Sequence, residues 1–313
     1  MLLAILSSFL TPTPATPYPE RPDRPASPGI CPNDYKMQTF ATDRFDTTSV
    51  DLANSHRPGF SWYRWNWFSG GHASDTLSPA SDGTIAVSGR SGPNGQIATA
   101  AAIPTAPYMV GTAFGGGFCV EADMAFDPDA IDTAKGFPAF WAMAVEHLDQ
   151  HGARAQMPGQ PAGFEHFIEM DIMEAFKRPL PDYLGTMHDW YGQYRRTCPG
   201  RSFCDVERSF DTMPGIVPKD TDWRDWHRVG AVWRPATNRR PGHVQYFFDG
   251  KPIAAPFTWA KGDPTRLPQL GGGQAFAALD DQHLVLIAGS NSTPIRLKSV
   301  RVFQRDDRHN LHY

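Results

Sequence analysis

The sequence predicts an all-β protein in which two antiparallel sheets pack face to face. Two features of composition support this: 12% of the 313 residues are aromatic, and Gly and Pro occur 28 and 29 times, as is typical of strands joined by many turns. The third observation is the pattern along the chain, where short apolar segments alternate with Gly, Pro or Asp clusters. Candidates for helices are few and short. Packing one sheet against another is the arrangement that buries such strands.

The strand signals follow one another along the chain. Residues 117–126 alternate cleanly, because the even-numbered side chains are apolar whereas Cys119, Glu121 and Asp123 point the other way. Residues 137–145 are apolar throughout, which predicts a strand covered on both faces. The other predicted strands are 84–88, 164–176, 228–233, 243–248 (followed by the hairpin signal Asp249-Gly250), 283–288 and 296–303.

The N-terminal part of the chain differs in composition from the rest. Residues 1–10 resemble the apolar centre of a secretion signal without its basic segment. Residues 11–30 are rich in proline and predict a stiff, polyproline-II-like spacer. From residue 37 the composition is globular, with no second linker and no repeat of fixed period. We therefore predict a signal-like segment and Pro-rich linker over 1–36 and a single domain over 37–313.

The charge balance excludes several classes of partner. With 29 Lys and Arg against 33 Asp and Glu, the net charge is −4, so no basic excess is available to neutralise nucleic-acid phosphates. No apolar run approaches the roughly 18 residues that a membrane-spanning helix needs. Neither a P-loop nor a G-x-S-x-G motif is present. We expect a monomer that binds neither nucleic acid nor membrane and uses no cofactor.

Four cysteines allow three disulfide connectivities, and the sequence does not choose among them. Cys198 and Cys204 flank a short Pro-Gly-Arg loop and could close a small disulfide, which would leave Cys31 and Cys119 as the second pair. Four buried free thiols are the alternative. Disulfides, an export-like segment and a stiff spacer together predict an oxidising location outside the cytoplasm.

The most informative segment is the acidic run Glu169-Met-Asp-Ile-Met-Glu174. On a helix, Glu169, Asp171 and Glu174 would lie at about 0°, 200° and 140° around the axis, which gives them no common face. On a regular strand, Glu169 and Asp171 share a face whereas Glu174 points the other way. A single β-bulge at Ile172-Met173 would return Glu174 to the first face. We therefore predict a bulged strand with three carboxylates along one side.

Three aligned carboxylates suit the hydrolysis of glycosides. One carboxylate must be ionised to attack the anomeric carbon, and another must hold a proton for the leaving oxygen. A third between them helps to separate the two pKa values. A solvated acidic face and a Ca²⁺ site are the alternatives. The apolar residues interleaved with the acids disfavour the first, and the absence of turn-forming residues disfavours the second, so we predict no metal at these acids.

The acidic run and its surroundings resemble glycoside hydrolase family 16, the group of laminarinases, lichenases and agarases. Members of that family carry an E-x-D-x-x-E strand on the concave sheet of a concanavalin A-like β-jelly roll. The resemblance implies that Glu169 is the nucleophile, Asp171 its helper and Glu174 the acid/base. It extends in chain order over roughly residues 70–304, with further similarity in segments 138–141, 185–188, 225–235, 244–251 and 295–304.

The resemblance also indicates which side chains contact the substrate. His188 follows the acidic strand and is expected at the cleft, although a structural histidine is the ordinary alternative; Trp141 could equally belong to the core. Trp62, Trp65 and Trp67 cluster in the sequence, and Trp65 and Trp67, two residues apart, would share one face of a strand. A row of such rings would be a sugar platform if exposed and part of the core if buried. The predicted substrate-binding residues are His188, Trp141, Trp190 and Trp65.

The expected activity is that of a secreted or periplasmic endo-β-glycanase that retains anomeric configuration and acts on a β-1,3- or mixed-linked glucan. A structural Ca²⁺ elsewhere on the sandwich is compatible with the resemblance. The alternatives are a transglycosylase of the same fold, a non-catalytic concanavalin-like lectin and a polysaccharide lyase.

Overall fold

The computed structural model describes residues 29–65, 77–88, 95–134, 136–148, 164–176, 183–193, 204–215, 217–218, 220–262, 275–290 and 292–313. For residues 183, 193, 204–215 and 275 the backbone alone is described. Within these ranges most of the regular structure is strand, as the composition predicts.

The strands, in chain order, are β1 (Met37–Thr42), β2 (Tyr63–Arg64), β3 (Leu77–Pro79), β4 (Ile85–Val87), β5 (Gly95–Ala98), β6 (Ala100–Ala102), β7 (Met109–Ala113), β8 (Phe118–Phe126), β9 (Ala139–Ala144), β10 (Phe164–Glu174), β11 (Tyr183–Gln193), β12 (Cys204–Gly215), β13 (His227–Arg234), β14 (Gly242–Phe248), β15 (Lys251–Pro252), β16 (Phe257–Trp259), β17 (Leu284–Ser290), β18 (Ile295–Gln304) and β19 (Leu311–His312). In the described ranges, the helical elements are α1 (Val145–Leu148) and two 3₁₀ helices, Pro128–Ala130 and Ala275–Asp281. None of these helices is long and apolar enough to cross a bilayer.

The strands form two large sheets and one small one. The sheet that carries the acidic run, called the acid sheet here, has the order β12-β11-β10-β9-β17-β5-β2. The opposite sheet has the order β15-β14-β13-β8-β18-β4-β3, with β1 beside β18 and β16 beside β14. A three-stranded sheet, β19-β7-β6, completes the fold. Neighbouring strands of the two large sheets run antiparallel, so the predicted all-β sandwich is confirmed.

The alternation of side chains explains how the sheets pack. On β8, Val120 and Met124 are fully buried, and on β10 so are Met170 and Ile172; all four belong to one continuous core. The hydroxyl of Tyr246 on β14 crosses this core and donates to the carbonyl oxygen of residue 186 on β11, at 3.1 Å. The apolar side chains of β10 therefore anchor the acid sheet, which leaves the odd-numbered acids on its other face.

The predicted strands β9 and β14 behave as their sequences indicate. All six residues of β9 are buried, as expected of a central strand between β10 and β17. The hairpin from β14 to β15 turns at Asp249 and Gly250, whose φ angles of 46° and 79° are both in the left-handed region that an Asp-Gly turn favours. The long strand β12, in contrast, was not predicted from its sequence.

The start of the described chain packs on the outside of the opposite sheet. Cys31 forms a disulfide with Cys119, and Ile30 donates its backbone N–H to the buried carboxylate of Glu121 at 2.6 Å. Tyr35 is also buried there, so residues 30–35 belong to the packed structure although their composition indicated a linker. This disulfide settles the pairing of two of the four cysteines. The other two cannot be assigned, because Cys198 and the Cys204 side chain lie outside the described residues.

Candidate active site

A β-bulge brings the three acids of β10 to one side of the acid sheet. Along the β10–β11 pair, Glu169 lies opposite His188 and Asp171 opposite Thr186, but Glu174 lies opposite Leu184. Three steps on β10 therefore match two steps on β11, and the register against β9 shifts at the same place. The bulge predicted at residues 172–173 is confirmed, and so is the common face: Thr186 Oγ1 lies 3.4 Å from Glu174 Oε2, on the side of Asp171.

Strand β11 supplies a polar partner to two of the acids. Trp190 donates its indole N–H to Oε2 of Glu169 at 2.6 Å, and Nε2 of His188 lies 2.9 Å from Oδ2 of Asp171. His188 and Trp190 are two residues apart on β11, so both point to the face that carries the acids. Asp171 is buried, whereas Glu169 and Glu174 on either side of it are partly exposed. A ligand can therefore reach Glu169 and Glu174, whereas Asp171 is buried between them.

The proximity of the acids changes the protonation of Glu169. Burial raises the pKa of Glu169 to about 8, and the negative charges of Asp171 and Glu174 act in the same direction. His188 and the hydrogen bond from Trp190 favour the ionised form and lower this pKa. Because the three carboxylates interact strongly, the proton belongs to the group of acids rather than to one fixed residue. With the pKa of Glu169 raised to about 8, the site holds a proton near neutral pH.

The same residues offer ligands to a cation. One ligand atom from each of Glu169, Asp171 and His188 can be chosen so that all lie within 4.8 Å of one another. Carboxylate and imidazole are common ligands of divalent metals. The prediction that these acids bind no metal stays a prediction, and a structural Ca²⁺ elsewhere stays only compatible with the resemblance.

The tryptophans divide into two groups. Trp141 lies opposite Asp171 on β9 and is 9% exposed, and Trp190 is half-buried at Glu169, so both border the acids. Trp65 is fully buried, with its ring 5.3 Å from that of Trp141, and Trp62 is also fully buried and donates to Thr42. The ring of Trp65 therefore packs in the core, and its contact with a substrate stays a prediction. Trp67 lies outside the described residues.

Three residues that the sequence did not single out extend the acid face. Phe167 and Glu165 precede Glu169 by two and four residues. On a strand this even spacing puts them on the face of Glu169, so the sequence contained a signal for both. His147 of α1 stacks on Phe167 with ring centroids 3.8 Å apart, and its Nδ1 lies 2.6 Å from Oε2 of Glu165. No local sequence pattern indicates that His147 lies beside these residues, because its position depends on how α1 packs against β10. Phe167 in turn lies parallel to the ring of Trp190, which makes a continuous row of rings beside the acids.

Comparison with known proteins gives a likeness in fold. No protein-family model matches the sequence, and no curated protein matches it either. Among solved structures, an endo-1,3-beta-glucanase from Streptomyces sioyaensis superimposes with a TM-score of 0.51 at 17% identity, covering 91% of this chain and 100% of that one. Basic winged bean lectin (TM-score 0.37, 8% identity, 84% and 96% covered) and the carbohydrate recognition domain of Emp46p (0.36, 8%, 78% and 88%) are more distant. At this identity the likeness establishes the fold, and the chain is a β-jelly-roll sandwich.

Proposed function

We propose that this protein is a retaining endo-β-glycanase of the glycoside hydrolase family 16 type, acting on a β-1,3- or mixed-linked glucan. The observation that carries the proposal is the bulge in β10, which places Glu174 on the same face as Glu169 and Asp171. A protein that only binds sugars has no need for three aligned carboxylates. The fold shared with a 1,3-β-glucanase supports the substrate class.

In the proposed reaction, Glu169 and Glu174 act from the two ends of the acid row. Glu169 attacks the anomeric carbon while Glu174 gives its proton to the departing glycosidic oxygen, so that one C–O bond forms and one breaks. Glu174 then takes a proton from water, which attacks the same carbon and releases Glu169. Two inversions at one carbon retain its configuration. Asp171, held by His188, lies between the two glutamates and adjusts their proton affinities.

The protonation of the site fits this division of roles. Attack requires an ionised Glu169, yet two neighbouring negative charges raise its pKa. When the shared proton lies on Glu174, one of those charges disappears and Glu169 ionises more easily. The hydrogen bond from Trp190 further stabilises the Glu169 carboxylate. The reactive form is therefore the one with the proton on Glu174.

The proposed location is outside the cytoplasm, in the secreted or periplasmic space. The disulfide between Cys31 and Cys119 supports an oxidising environment, and the signal-like residues 1–10 support export. We propose a monomer with a polysaccharide or oligosaccharide as its ligand.

The test is a screen for new reducing ends with laminarin, lichenan, agarose, carrageenan and xyloglucan. We expect cleavage of a β-1,3-linked glucan, with NMR of the first product showing retained anomeric configuration. Glu169→Gln should abolish turnover and leave glycan binding intact. Glu121→Gln, which also removes a buried carboxylate but on the opposite sheet, is the matched control and should remain active.

Three other outcomes point elsewhere. Binding of glycans without release of reducing ends would favour a lectin. Accumulation of longer chains would favour a transglycosylase, and a product that absorbs in the ultraviolet would favour a lyase. Equal activity of Glu169→Gln and the wild type would contradict the assigned role of Glu169.

A further inference from the structure

Among the residues that the structure describes, no strand lies beside the part of β10 just before Glu169 on the β9 side. The β9–β10 pairing runs from Glu174 opposite Ala139 to Glu169 opposite Met143, and β9 ends one residue later, at Ala144. There the chain enters α1 and leaves the sheet. The backbone groups of β10 that continue along this side are buried, and they need hydrogen-bond partners from another element.

Gln282 supplies these partners with its side-chain amide. Its Oε1 accepts from the backbone N–H of Ile168 at 3.0 Å, and its Nε2 donates to the carbonyl oxygen of His166 at 2.9 Å. These are the two groups that an adjacent strand would pair with, so one side-chain amide supplies the acceptor and the donor that two residues of a neighbouring strand would otherwise provide. Gln282 is 7% exposed, and its own N–H donates to Leu279 at the end of the 3₁₀ helix, which fixes where the side chain begins.

We propose that Gln282 is a positioning residue for Glu169. The inference rests on the proposed function, because it concerns how the nucleophile of that reaction is held. Ile168 directly precedes Glu169, so the Gln282 amide fixes the backbone at the point where the nucleophile leaves the sheet. On the other side of β10, Glu169 meets Trp190 at 2.6 Å, a contact that a small backbone shift would break. Misplacement of a reacting group by about 1 Å can slow a reaction on the order of a hundredfold.

The first test compares two glutamine-to-methionine variants. Gln282→Met keeps the length of the side chain and removes both hydrogen bonds. Gln304→Met is the matched control, because Gln304 is fully buried in the opposite sheet and likewise bonds to backbone, at Gly115, 3.0 Å away. We expect kcat of Gln282→Met to fall on the order of tenfold to a hundredfold with KM within about twofold, and Gln304→Met to keep wild-type kcat.

A second readout does not depend on activity. The indole N–H of Trp190 reports on its bond to Glu169 in a ¹H–¹⁵N spectrum, where Trp190→Phe identifies the signal. We expect this signal to move in Gln282→Met and to stay in place in Gln304→Met. If the wild type cleaves no glycan, the proposed function fails, but this spectrum still decides whether Gln282 positions Glu169.

Gln282→Glu provides a rescue that depends on pH. A protonated carboxylic acid can donate to His166 and accept from Ile168 as the amide does, whereas a carboxylate can only accept. The ratio of variant to wild-type kcat, and the Trp190 signal, should therefore approach wild type as pH falls and depart from it as pH rises. This variant also serves if Gln282→Met does not fold. A folded Gln282→Met or Gln282→Glu with wild-type kcat and an unmoved Trp190 signal at every pH would overturn the inference.

Discussion

Trp190 reaches diagonally across the β10–β11 pair to hold Glu169. Its direct neighbour on β10 is Phe167, yet its indole N–H donates to the Glu169 carboxylate two residues further along. The ring of Phe167 lies nearly parallel to that of Trp190, which limits where the indole can turn. A partly exposed acid is thus fixed by a side chain that also borders the space in front of it.

Trp190→Phe should destabilise the ionised form of Glu169, because it removes the indole N–H but keeps an aromatic ring. A hydrogen bond to a charged group contributes about 1.5–3 kcal/mol, so we expect kcat to fall on the order of tenfold to a hundredfold. Because the bond lowers the pKa of Glu169, its loss should raise that pKa further. Steady-state kinetics on the glucan identified by the screen measure the first effect. Trp226→Phe is the control and should leave kcat unchanged, because Trp226 lies just before β13, where its ring contacts Arg296 of the opposite sheet.

Asp171→Asn should lower the pKa of Glu169. The charge of Asp171 is the largest electrostatic cause of the rise to about 8, after burial itself, and the amide removes it. We expect the Glu169 carboxyl, followed by ¹³C NMR, to titrate below the wild-type value. An unchanged or higher pKa would mean that the loss of the Asp171 contact with His188 outweighs the removal of the charge.

Glu169 should make the stability of the protein depend on pH. Its folded pKa of about 8 lies above the ordinary value of 4.5, so the native state binds more protons than the unfolded state between these values. This contribution is complete below about pH 4.5 and is lost as pH rises through 8. Glu169→Gln, which stays neutral, should therefore be more stable than the wild type at pH 9, by on the order of a few kcal/mol, and similar to it near pH 4. Denaturant unfolding at both pH values measures the difference, and a constant difference would contradict a raised pKa.

Trp65→Ala should affect stability rather than sugar binding. The ring is fully buried against Trp141, and removing a buried tryptophan destabilises a protein by about 3–5 kcal/mol. Trp65→Phe retains most of the packing and should lose much less. Urea unfolding and glycan titration, done on both variants, separate the two roles; a folded Trp65→Phe with greatly weakened glycan binding would restore Trp65 to the binding site.

Reducing the Cys31–Cys119 disulfide should destabilise the fold without changing the acids. The bond closes a loop across a sequence separation of 88 residues, which corresponds to about 4.6 kcal/mol in the chain-entropy description. It lies on the outside of the opposite sheet, away from β10. We expect a Cys31→Ser, Cys119→Ser double variant to unfold at lower denaturant and to keep the wild-type pKa of Glu169. Unchanged stability would mean that the burial of Ile30 and Tyr35 alone holds the N-terminal segment.

Local pattern alone determined much of the fold and the acid row. Neighbouring residues are enough to predict the two-residue alternation of β8 and the apolar run of β9, because strand geometry repeats over two residues. The Asp249-Gly250 turn is likewise predicted from two adjacent residues. The spacing of the acids also implied the bulge at 172–173, since no other strand geometry returns Glu174 to the face of Glu169.

Tertiary structure decided what surrounds the acids. The spacing of Trp65 and Trp67 could not distinguish an exposed sugar-binding surface from a buried core. The burial of Trp65 depends on the packing of its ring against Trp141 on β9. The bond between Gln282 and Ile168 joins residues 114 positions apart, at a part of β10 that lies beyond the end of β9. Such contacts depend on which elements meet in space, and a periodic pattern within one strand carries no information about its distant neighbours.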